Sequence, residues 1–351
     1  MTPRVTHGAL DHAELLGLGL QPEALLDFSS NLNPFGPPPG VRAALATLDP
    51  APYPDRSCLQ LRATLAAQHQ CAPTAILPGN GANELIHLVA RALLPPHGIA
   101  LVADPTYGEY AAASRLAGAE VLAWPSASLR LPQLDLVGLK VAVTRLRPQV
   151  TWLCTPNNPT GDDVASDQIV VLAQHCAAHD GFLLLDRSYV ALRRDACTIH
   201  DMPPLPANVL QLYSLTKSYA LAGLRLGYLQ GAPELLERIA HFQPTWSVSS
   251  AAQAAGLAAL TDSSFLATSI PQLWAASDML HAGLSALGLK VQRNTLPFML
   301  VECASASATR AALLRQGILV RDCSSFGLPA WVRIAPRQPT ENERLLAAWG
   351  G

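Results

Sequence analysis

Short, unbroken runs of hydrophobic residues recur along the chain, and most end in a polar or proline-containing turn. The clearest runs cover residues 99–103, 151–154 and 182–186, and strand-like runs that include polar residues cover 208–213 and 225–229. Runs of this length without polar alternation are typical of strands buried on both faces of a mostly parallel sheet. The pattern therefore predicts an α/β fold, in which ligands bind at the carboxyl ends of the strands.

Apolar residues at helical spacing fill much of the remaining chain. Predicted helices cover 11–18, 41–48, 58–69, 85–94, 233–242, 249–260 and 263–287. Three more strands are predicted near 298–302, 317–321 and 331–335. These later strands indicate a second, smaller αβ unit that follows the main sheet.

Composition restricts the class of protein. The chain has 351 residues, of which 50% are hydrophobic and 14% charged, and its formal charge is −2. This charge predicts no affinity for nucleic acid or anionic membrane, and no apolar run approaches the ~18 residues of a membrane span. The N-terminus lacks a signal-peptide pattern. Seven scattered cysteines form no Cys-x-x-Cys pair, so we expect packing thiols, no metal site and a cytoplasmic location.

The segment 214–228 carries a lysine between two apolar runs. Burial there disfavours the ammonium form of Lys217 and frees its amine as a nucleophile. Ser214, Thr216 and Arg225 are the donors that a phosphate monoester needs. An exposed lysine on a Ser/Thr loop is the alternative, but the flanking apolar runs and the arginine argue against it. A reactive lysine beside a phosphate site is what pyridoxal phosphate requires.

A second wall of the phosphate site is predicted before the helix at 85–94. Gly81, Ala82 and Asn83 precede that helix, and glycines at a helix N-terminus let backbone N–H groups approach an anion. Alone, this motif is weak and more often a simple turn. Together with the donors of the lysine segment, it predicts a phosphate cradle.

Polar residues at two strand ends are candidates for holding the cofactor ring. Asn157, in Pro-Asn-Asn-Pro-Thr-Gly, follows one strand, and its amide can donate to the phenolic oxygen of pyridoxal phosphate. Asp186 ends the next strand, where a buried carboxylate needs a cation such as the protonated pyridine nitrogen. Tyr189 can hydrogen-bond the same phenolic oxygen as Asn157.

The string Ser-Leu-Thr-Lys followed by Gly-Leu-Arg-Leu-Gly-Tyr resembles the lysine segment of the fold-type I pyridoxal-phosphate enzymes. It is most similar to the branch that holds histidinol-phosphate aminotransferase and threonine-phosphate decarboxylase. The resemblance implies a large domain, 46–240, with a mostly parallel seven-stranded sheet. It also implies a smaller α/β domain, 241–351, which the N-terminal segment, 1–45, joins.

The resemblance also assigns roles to two tyrosines. In the family, an aromatic residue after the strand at 99–103 stacks on the pyridine ring, and Tyr107 takes this place. Tyr53 corresponds to a tyrosine that reaches the partner's cofactor phosphate across a homodimer interface. From the sequence alone, a tyrosine packed at a strand end and a tyrosine in a turn remain open for these two positions.

Five residues are predicted to bind the substrate, and one of them is Asn157, which is also a candidate cofactor contact. By resemblance to the decarboxylase, His7 and Asn31, the latter in a Ser-x-Asn-x-Asn-Pro motif, help to bind the substrate's phosphate. Arg321 and Arg333 lie within apolar strands, where a guanidinium needs an anionic partner. That partner is either a structural carboxylate or, as in the family, an acidic group of the substrate.

Relatives usually read Asp-Glu-Ala-Tyr or Asp-Glu-Ala-Phe where this chain has Asp186, Arg187, Ser188 and Tyr189. The string Pro-x-Trp-Ser-Val at 244–248 resembles the decarboxylase more than the aminotransferase. We therefore expect decarboxylation of L-threonine O-3-phosphate to (R)-1-amino-2-propanol phosphate, as in cobalamin biosynthesis. A histidinol-phosphate or related class I/II aminotransferase is the alternative. A pyridoxal-phosphate-binding protein without turnover, suggested by Arg187, is the third hypothesis.

Overall fold

The computed structural model describes residues 5, 7–125, 133–194 and 205–350. Its α-helices, labelled α1 to α13 in chain order, are His12–Leu18, Pro39–Ala46, Leu59–His69, Gly81–Leu93, Glu109–Leu116, Leu136–Leu146, Ser166–Ala177, Leu215–Ser218, Pro233–Ala240, Ser250–Thr261, Phe265–Ala286, Ala306–Leu314 and Pro339–Gly350. Its β-strands, labelled β1 to β13, are Leu26–Asp27, Ile76–Asn80, Ile99–Ala103, Glu120–Trp124, Val150–Cys154, Phe182–Asp186, Val209–Ser214, Leu226–Gln230, Val291–Gln292, Met299–Glu302, Ile318–Leu319, Arg321–Asp322 and Trp331–Ile334.

A seven-stranded sheet with the order β2-β8-β7-β6-β5-β3-β4 forms the centre of the larger unit. Strands β4, β3, β5, β6 and β7 pair in parallel, and β8 runs antiparallel to both of its neighbours. The predicted α/β fold with a mostly parallel sheet is therefore confirmed. The parallel strands direct their carboxyl ends to one edge, where Asp186 ends β6 and Ser214 ends β7.

Successive side chains of the central strands pack against helices on opposite faces of the sheet. In β5, Trp152 joins the apolar cluster formed with α4, α5 and α9, whereas Leu153 joins the cluster formed with α6 and α7. In β6, Leu184 packs in the first cluster and Leu185 in the second. Each fully buried leucine contributes about 1.5–3 kcal/mol to the free energy of folding. Burial on both faces explains why these strands read as unbroken apolar runs.

The smaller unit is built around a four-stranded sheet with the order β12-β13-β10-β9. Strand β1 pairs in parallel with β11, so the N-terminal segment contacts this C-terminal unit. Helix α10 instead packs with α2 and α3 in an apolar cluster that includes strand residues of the larger sheet. The predicted boundaries at residues 45 and 240 stay predictions.

The helix predicted at 85–94 begins earlier than expected, because α4 starts at Gly81, directly after β2, and residues 81–83 form its first turn. Pro78 fits β2 because the strand lies at an edge of the sheet, where a missing N–H is tolerated. None of the helices in the described ranges is both long and apolar enough to cross a bilayer. The six cysteines in those ranges are free thiols, and Cys197 lies outside the described residues.

Candidate active site

A cavity of about 450 Å³ opens at the carboxyl-end edge of the large sheet and extends toward the smaller unit. Most of the predicted site residues line it, although they come from distant parts of the chain. These residues are His7, Asn31, Ala82, Asn83, Tyr107, Asp186, Tyr189, Ser214, Thr216, Lys217, Arg225, Arg321 and Arg333. Gly81, Asn157 and Tyr53 are not among the lining residues.

Lys217 is carried by the single-turn helix α8, directly after β7. Ser214 begins this turn, and its Oγ accepts a hydrogen bond from the backbone N–H of Thr216 at 3.3 Å. Burial, followed by the positive charges of Arg333 and Arg225, lowers the pKa of Lys217 to about 8. A substantial fraction of the amine is therefore neutral and nucleophilic near physiological pH.

The first turn of α4 lies directly against the Arg225 guanidinium, as a phosphate cradle requires. Gly81 has φ of +77°, and a Cβ atom there would lie 2.7 Å from Nη2 of Arg225. A glycine is therefore needed both for the backbone conformation and for the close approach of the guanidinium. Asn83 Oδ1 is buried without a hydrogen-bond partner, so this wall has an unused polar atom for a ligand.

Asp186 is buried at the base of the cavity. Burial raises the pKa of its carboxyl, against the hydrogen bonds from Ser188 and Tyr110 and the charge of Lys217. The Tyr110 hydroxyl donates to Oδ2 at 2.7 Å and the Ser188 backbone N–H donates to Oδ1 at 2.8 Å. Within the described ranges, no cation lies within 4 Å of this carboxylate, so a bound pyridinium would stabilise its charged form.

Tyr110 is a residue that the sequence analysis missed. It is buried, and its ring stacks on Trp152 with centroids 5.3 Å apart, which fixes the hydroxyl against Asp186. The sequence feature that could have indicated its role is its position three residues after Tyr107, at the start of α5. Such spacing places both tyrosines on one face of a helical turn.

The prediction that Asn157 faces the cofactor is wrong, because the structure places Asn158 in the cavity instead. The Asn157 amide donates to the Pro105 carbonyl at 2.8 Å and to Thr160 Oγ1 at 2.9 Å, and its Oδ1 accepts from Thr106 at 2.7 Å. These hydrogen bonds turn it away from the cavity. They join the loop after β5 to the loop that carries Tyr107.

Arg321 and Arg333 are cross-strand neighbours on β12 and β13, and both are buried. Arg333 donates to Asn158 Oδ1 and, at 2.6 Å, to the Ser29 carbonyl, while its Nε is buried without a partner. Within the described ranges, no carboxylate lies within 4 Å of Arg333. Burial lowers the pKa of Arg321 to about 10, so this guanidinium stays charged at neutral pH, and burial lowers the pKa of Arg333 as well.

Asn31 lines the same cavity as these arginines. Its Nδ2 donates to the Tyr189 hydroxyl at 3.3 Å, and its Oδ1 is buried without a partner. Burial raises the pKa of Tyr189 to about 12, so its hydroxyl keeps its proton. The pair therefore offers both a donor and a free acceptor to a ligand.

Arg187 points away from the cavity. It follows Asp186 at the end of β6, where consecutive side chains point to opposite faces. Its Nη1 donates to Gln211 Oε1 at 3.0 Å, and its guanidinium lies 5.8 Å from the centroid of the Tyr213 ring. The replacement of the usual glutamate by arginine therefore changes the packing behind the sheet and not the lining of the cavity.

Tyr53 lies outside the cavity, with 79% of its surface exposed. Its ring stacks on that of Trp246 with centroids 4.6 Å apart. The predicted contact with a partner's cofactor stays a prediction.

Comparison with known proteins agrees with this geometry. Residues 23–348 match the family described as aminotransferase class I and II. The chain is 35% identical to threonine-phosphate decarboxylase of Salmonella typhimurium, over 97% of the chain and 95% of that protein. It is 32% identical to histidinol-phosphate aminotransferase 2 of Ralstonia nicotianae, over 94% and 89%. The crystal structure of L-threonine-O-3-phosphate decarboxylase from Porphyromonas gingivalis matches with 26% identity and a TM-score of 0.79, over 92% and 97%.

The cavity passes a direct test of fit to pyridoxal phosphate. It combines a buried lysine of lowered pKa, a glycine-dependent approach of Arg225 to a helix N-terminus, and a buried carboxylate without a cation. These features suit the aldehyde, the phosphate and the pyridine nitrogen of the cofactor in turn. The chain belongs to the aminotransferase class I and II family of fold-type I enzymes, and its cofactor is pyridoxal phosphate.

Proposed function

We propose that this enzyme decarboxylates L-threonine O-3-phosphate to (R)-1-amino-2-propanol phosphate, a reaction that belongs to cobalamin biosynthesis. The proposal rests on the number of anion-binding groups in the cavity beyond those that serve the cofactor. Arg321, Arg333 and His7 all line it. One arginine is enough for an α-carboxylate, so a second arginine with a histidine fits a substrate that also carries a phosphate.

Sequence similarity supports the same choice. Threonine-phosphate decarboxylase of Salmonella typhimurium is 35% identical, and its alignment covers nearly all of both chains. Histidinol-phosphate aminotransferases follow at 30–32% identity. Because this difference in identity is small, the proposal depends mainly on the anion-binding groups of the cavity.

The reaction depends on which bond of the substrate's Cα lies perpendicular to the cofactor ring. Bound pyridoxal phosphate supplies an electron sink for that bond. If Arg321 and Arg333 hold the substrate's phosphate, the carboxylate is free to take the perpendicular position and to leave as CO₂. If an arginine instead holds the carboxylate in the ring plane, the Cα–H bond is broken.

The chain's own groups then complete the reaction. Lys217, with a pKa of about 8, exchanges protons readily at neutral pH and is placed to return a proton to Cα from Nζ. Asp186 would hold the ring nitrogen of the bound cofactor in its protonated form, and the Tyr110 and Ser188 hydrogen bonds keep its carboxylate in place. Tyr189 and Asn158 also line the cavity and would be the polar groups that contact the phenolic oxygen of the cofactor.

Transamination of histidinol phosphate is the second candidate. Its substrate also carries a phosphate, and the aminotransferase relatives match nearly the whole chain. In that reaction Arg333 would contact the α-carboxylate of both the amino acid substrate and the keto acid substrate.

Replacement of Arg333 by lysine distinguishes these roles. An arginine–phosphate contact in a desolvated site is worth on the order of 2–5 kcal/mol, and lysine does not restore its fork geometry. We expect Arg333→Lys to impair CO₂ release from threonine phosphate far more than from free threonine. His7→Ala and Asn31→Ala should act in the same direction but less. Equal losses for the two amino acids in single-turnover kinetics would contradict the proposed role of the arginine.

A further inference from the structure

A carboxylate flanked by two histidines lies at the rim of the cavity, outside the groups that the proposed reaction uses. Glu109, in the first turn of α5, is only 7% exposed. Its Oε1 lies 2.8 Å from His7 Nε2, and its Oε2 lies 3.2 Å from His87 Nε2. A buried carboxylate is costly without such partners, so the imidazoles stabilise it there.

The two histidines differ in their access to a ligand. His7 lines the active-site cavity and also an adjoining cavity of about 360 Å³ that Arg321 shares. Its ring lies 5.6 Å from that of Tyr107, centroid to centroid. His87 projects from α4 one turn after Asn83 and is not among the lining residues. Glu109 therefore links a ligand-facing histidine to the helix that begins at the phosphate cradle.

His7 has little other support. The described residues 7–10 contain no helix or strand, and this segment is held by a hydrogen bond from the Ala9 backbone N–H to Ser29 Oγ at 2.8 Å. An imidazole on such a segment would lose rotational freedom when it binds a ligand. A partner that fixes the ring beforehand reduces this entropic cost.

We propose that Glu109 is a positioning residue that holds His7 for contact with the substrate's phosphate. This inference rests on the proposed function, because it needs a phosphorylated substrate. Glu109 occupies Nε2, so Nδ1 is the ring nitrogen left for a ligand. A phosphate oxygen is an acceptor, and only the imidazolium donates from both nitrogens. In the complex, His7 therefore donates to Glu109 through Nε2 and to the phosphate through Nδ1.

The placement also explains why the carboxylate lies on α5. The loop before α5 carries Tyr107, so the histidine contact is fixed relative to the residue predicted to stack on the cofactor ring. Arg321 reaches the same region from β12. The phosphate would thus be held between a guanidinium of the small unit and an imidazolium positioned by the large one.

A double-mutant cycle tests this role. Glu109→Ala and His7→Ala should each raise KM for threonine phosphate about tenfold, the usual worth of one charge-assisted hydrogen bond. Both should impair the reaction of threonine phosphate much more than that of free threonine, which has no phosphate for His7 to contact. Because Glu109 acts through His7, the double variant should resemble His7→Ala alone. The proposal would be overturned if the effects of the two single variants on KM were additive in the double variant, or if the variants impaired the reaction of free threonine equally.

Matched variants and a binding measurement separate positioning from folding. Glu237→Ala and His12→Ala alter exposed residues of the same types and should leave KM unchanged. Glu109→Gln keeps the shape and an acceptor for His7, so it should recover most of the affinity if Glu109→Ala folds poorly. Inorganic phosphate should shift the imidazole NMR signals of His7 in the wild-type holoenzyme and shift them much less in Glu109→Ala. Equal shifts in both proteins would overturn the proposal.

The two hypotheses fail in different ways. If the wild-type enzyme releases no CO₂ from threonine phosphate, the proposed function is wrong, and the cycle is repeated with histidinol phosphate. If the wild-type enzyme is active on either phosphorylated substrate and Glu109→Ala matches it in KM, only the role of Glu109 is wrong.

Discussion

Lys217 shows how a single residue acquires its chemistry from its surroundings. The sequence predicted a desolvated lysine, because apolar runs flank it on both sides. The structure adds the charge of Arg333, which comes from a distant strand that no local pattern reveals, to that of Arg225 in the same segment. Burial and like charge both favour the neutral amine.

The rate of cofactor capture should follow this titration. We expect cofactor-free enzyme to take up pyridoxal phosphate at a rate that rises with pH and levels off above a midpoint near the Lys217 pKa of about 8. The neutral amine is the attacking form, and its fraction saturates above that pH. Stopped-flow absorbance measures the rate. A midpoint near the ~10.4 of an ordinary lysine would contradict the assigned environment. Lys217→Ala should lose the covalent linkage that borohydride fixes.

Alanine substitutions of the neighbouring residues Asn157 and Asn158 should have different effects, the first on stability and the second on catalysis. Asn158→Ala removes a buried partner of Arg333, so kcat/KM should fall by about tenfold or more. Asn157→Ala breaks the hydrogen bonds between two loops and should cost about 1–3 kcal/mol of unfolding free energy with KM little changed. Kinetics and thermal unfolding measure the two effects. A fall in kcat/KM for Asn157→Ala, with only a loss of stability for Asn158→Ala, would support the original prediction for Asn157.

These asparagines also mark a limit of the sequence. The Pro-Asn-Asn-Pro-Thr-Gly string located a strand end correctly, but two adjacent amides in a turn differ only in the direction that the backbone gives them. The contact between His7 and Glu109 spans 102 positions and has no local pattern at all. Residue types and strand ends were predictable, whereas side-chain direction and long-range partners were not.

At the scale of elements, the degree of burial determined which strands and helices could be predicted from the sequence. The strands at 99–103 and 182–186 have the predicted bounds, because each is a buried run that is apolar up to its last residue. Strand β4 lies at a sheet edge and is partly exposed, and no strand was predicted there although residues 121–124 are apolar. Several alanine-rich helices, α5 and α12 among them, had no assigned prediction because alanine gives little contrast between a buried and an exposed face.

The first turn of α4 provides a test at this scale. Gly81→Ala places a Cβ atom 2.7 Å from Nη2 of Arg225, so cofactor affinity should fall by about tenfold or more as the phosphate cradle opens. Gly19→Ala is the matched control, since Gly19 also has positive φ, at +68°, but has open space around it. Both variants should lose about 1–2 kcal/mol of folding free energy from backbone strain. Equal cofactor affinity in the two variants would contradict the cradle.

At the scale of the whole molecule, the cavity joins parts of the chain that are far apart in sequence. Asn33 donates to the Lys217 carbonyl, and β1 pairs with β11, so the N-terminal segment reaches both the lysine and the smaller unit. Only the family resemblance predicted that arrangement. Hydrophobic patterning predicts the elements, but it does not say which distant segments share a cavity.

The dimer prediction belongs to this scale. The exposed stack of Tyr53 on Trp246 is an apolar surface suited to a second copy of the chain. We expect a homodimer in analytical sedimentation, and we expect Tyr53→Phe to remain dimeric but to bind pyridoxal phosphate more weakly, because it loses the hydroxyl donor. A wild-type monomer that turns over would contradict this prediction.

The central claim is that the cavity directs the cofactor to break the Cα–carboxylate bond of a phosphorylated amino acid. The most direct test incubates the purified holoenzyme with L-threonine O-3-phosphate, without and with a keto acid, and quantifies CO₂ and products. We predict stoichiometric CO₂ and 1-amino-2-propanol phosphate in both reactions, with no need for the keto acid. Conversion of the cofactor to pyridoxamine phosphate by glutamate, without CO₂ from threonine phosphate, would contradict the claim and indicate an aminotransferase.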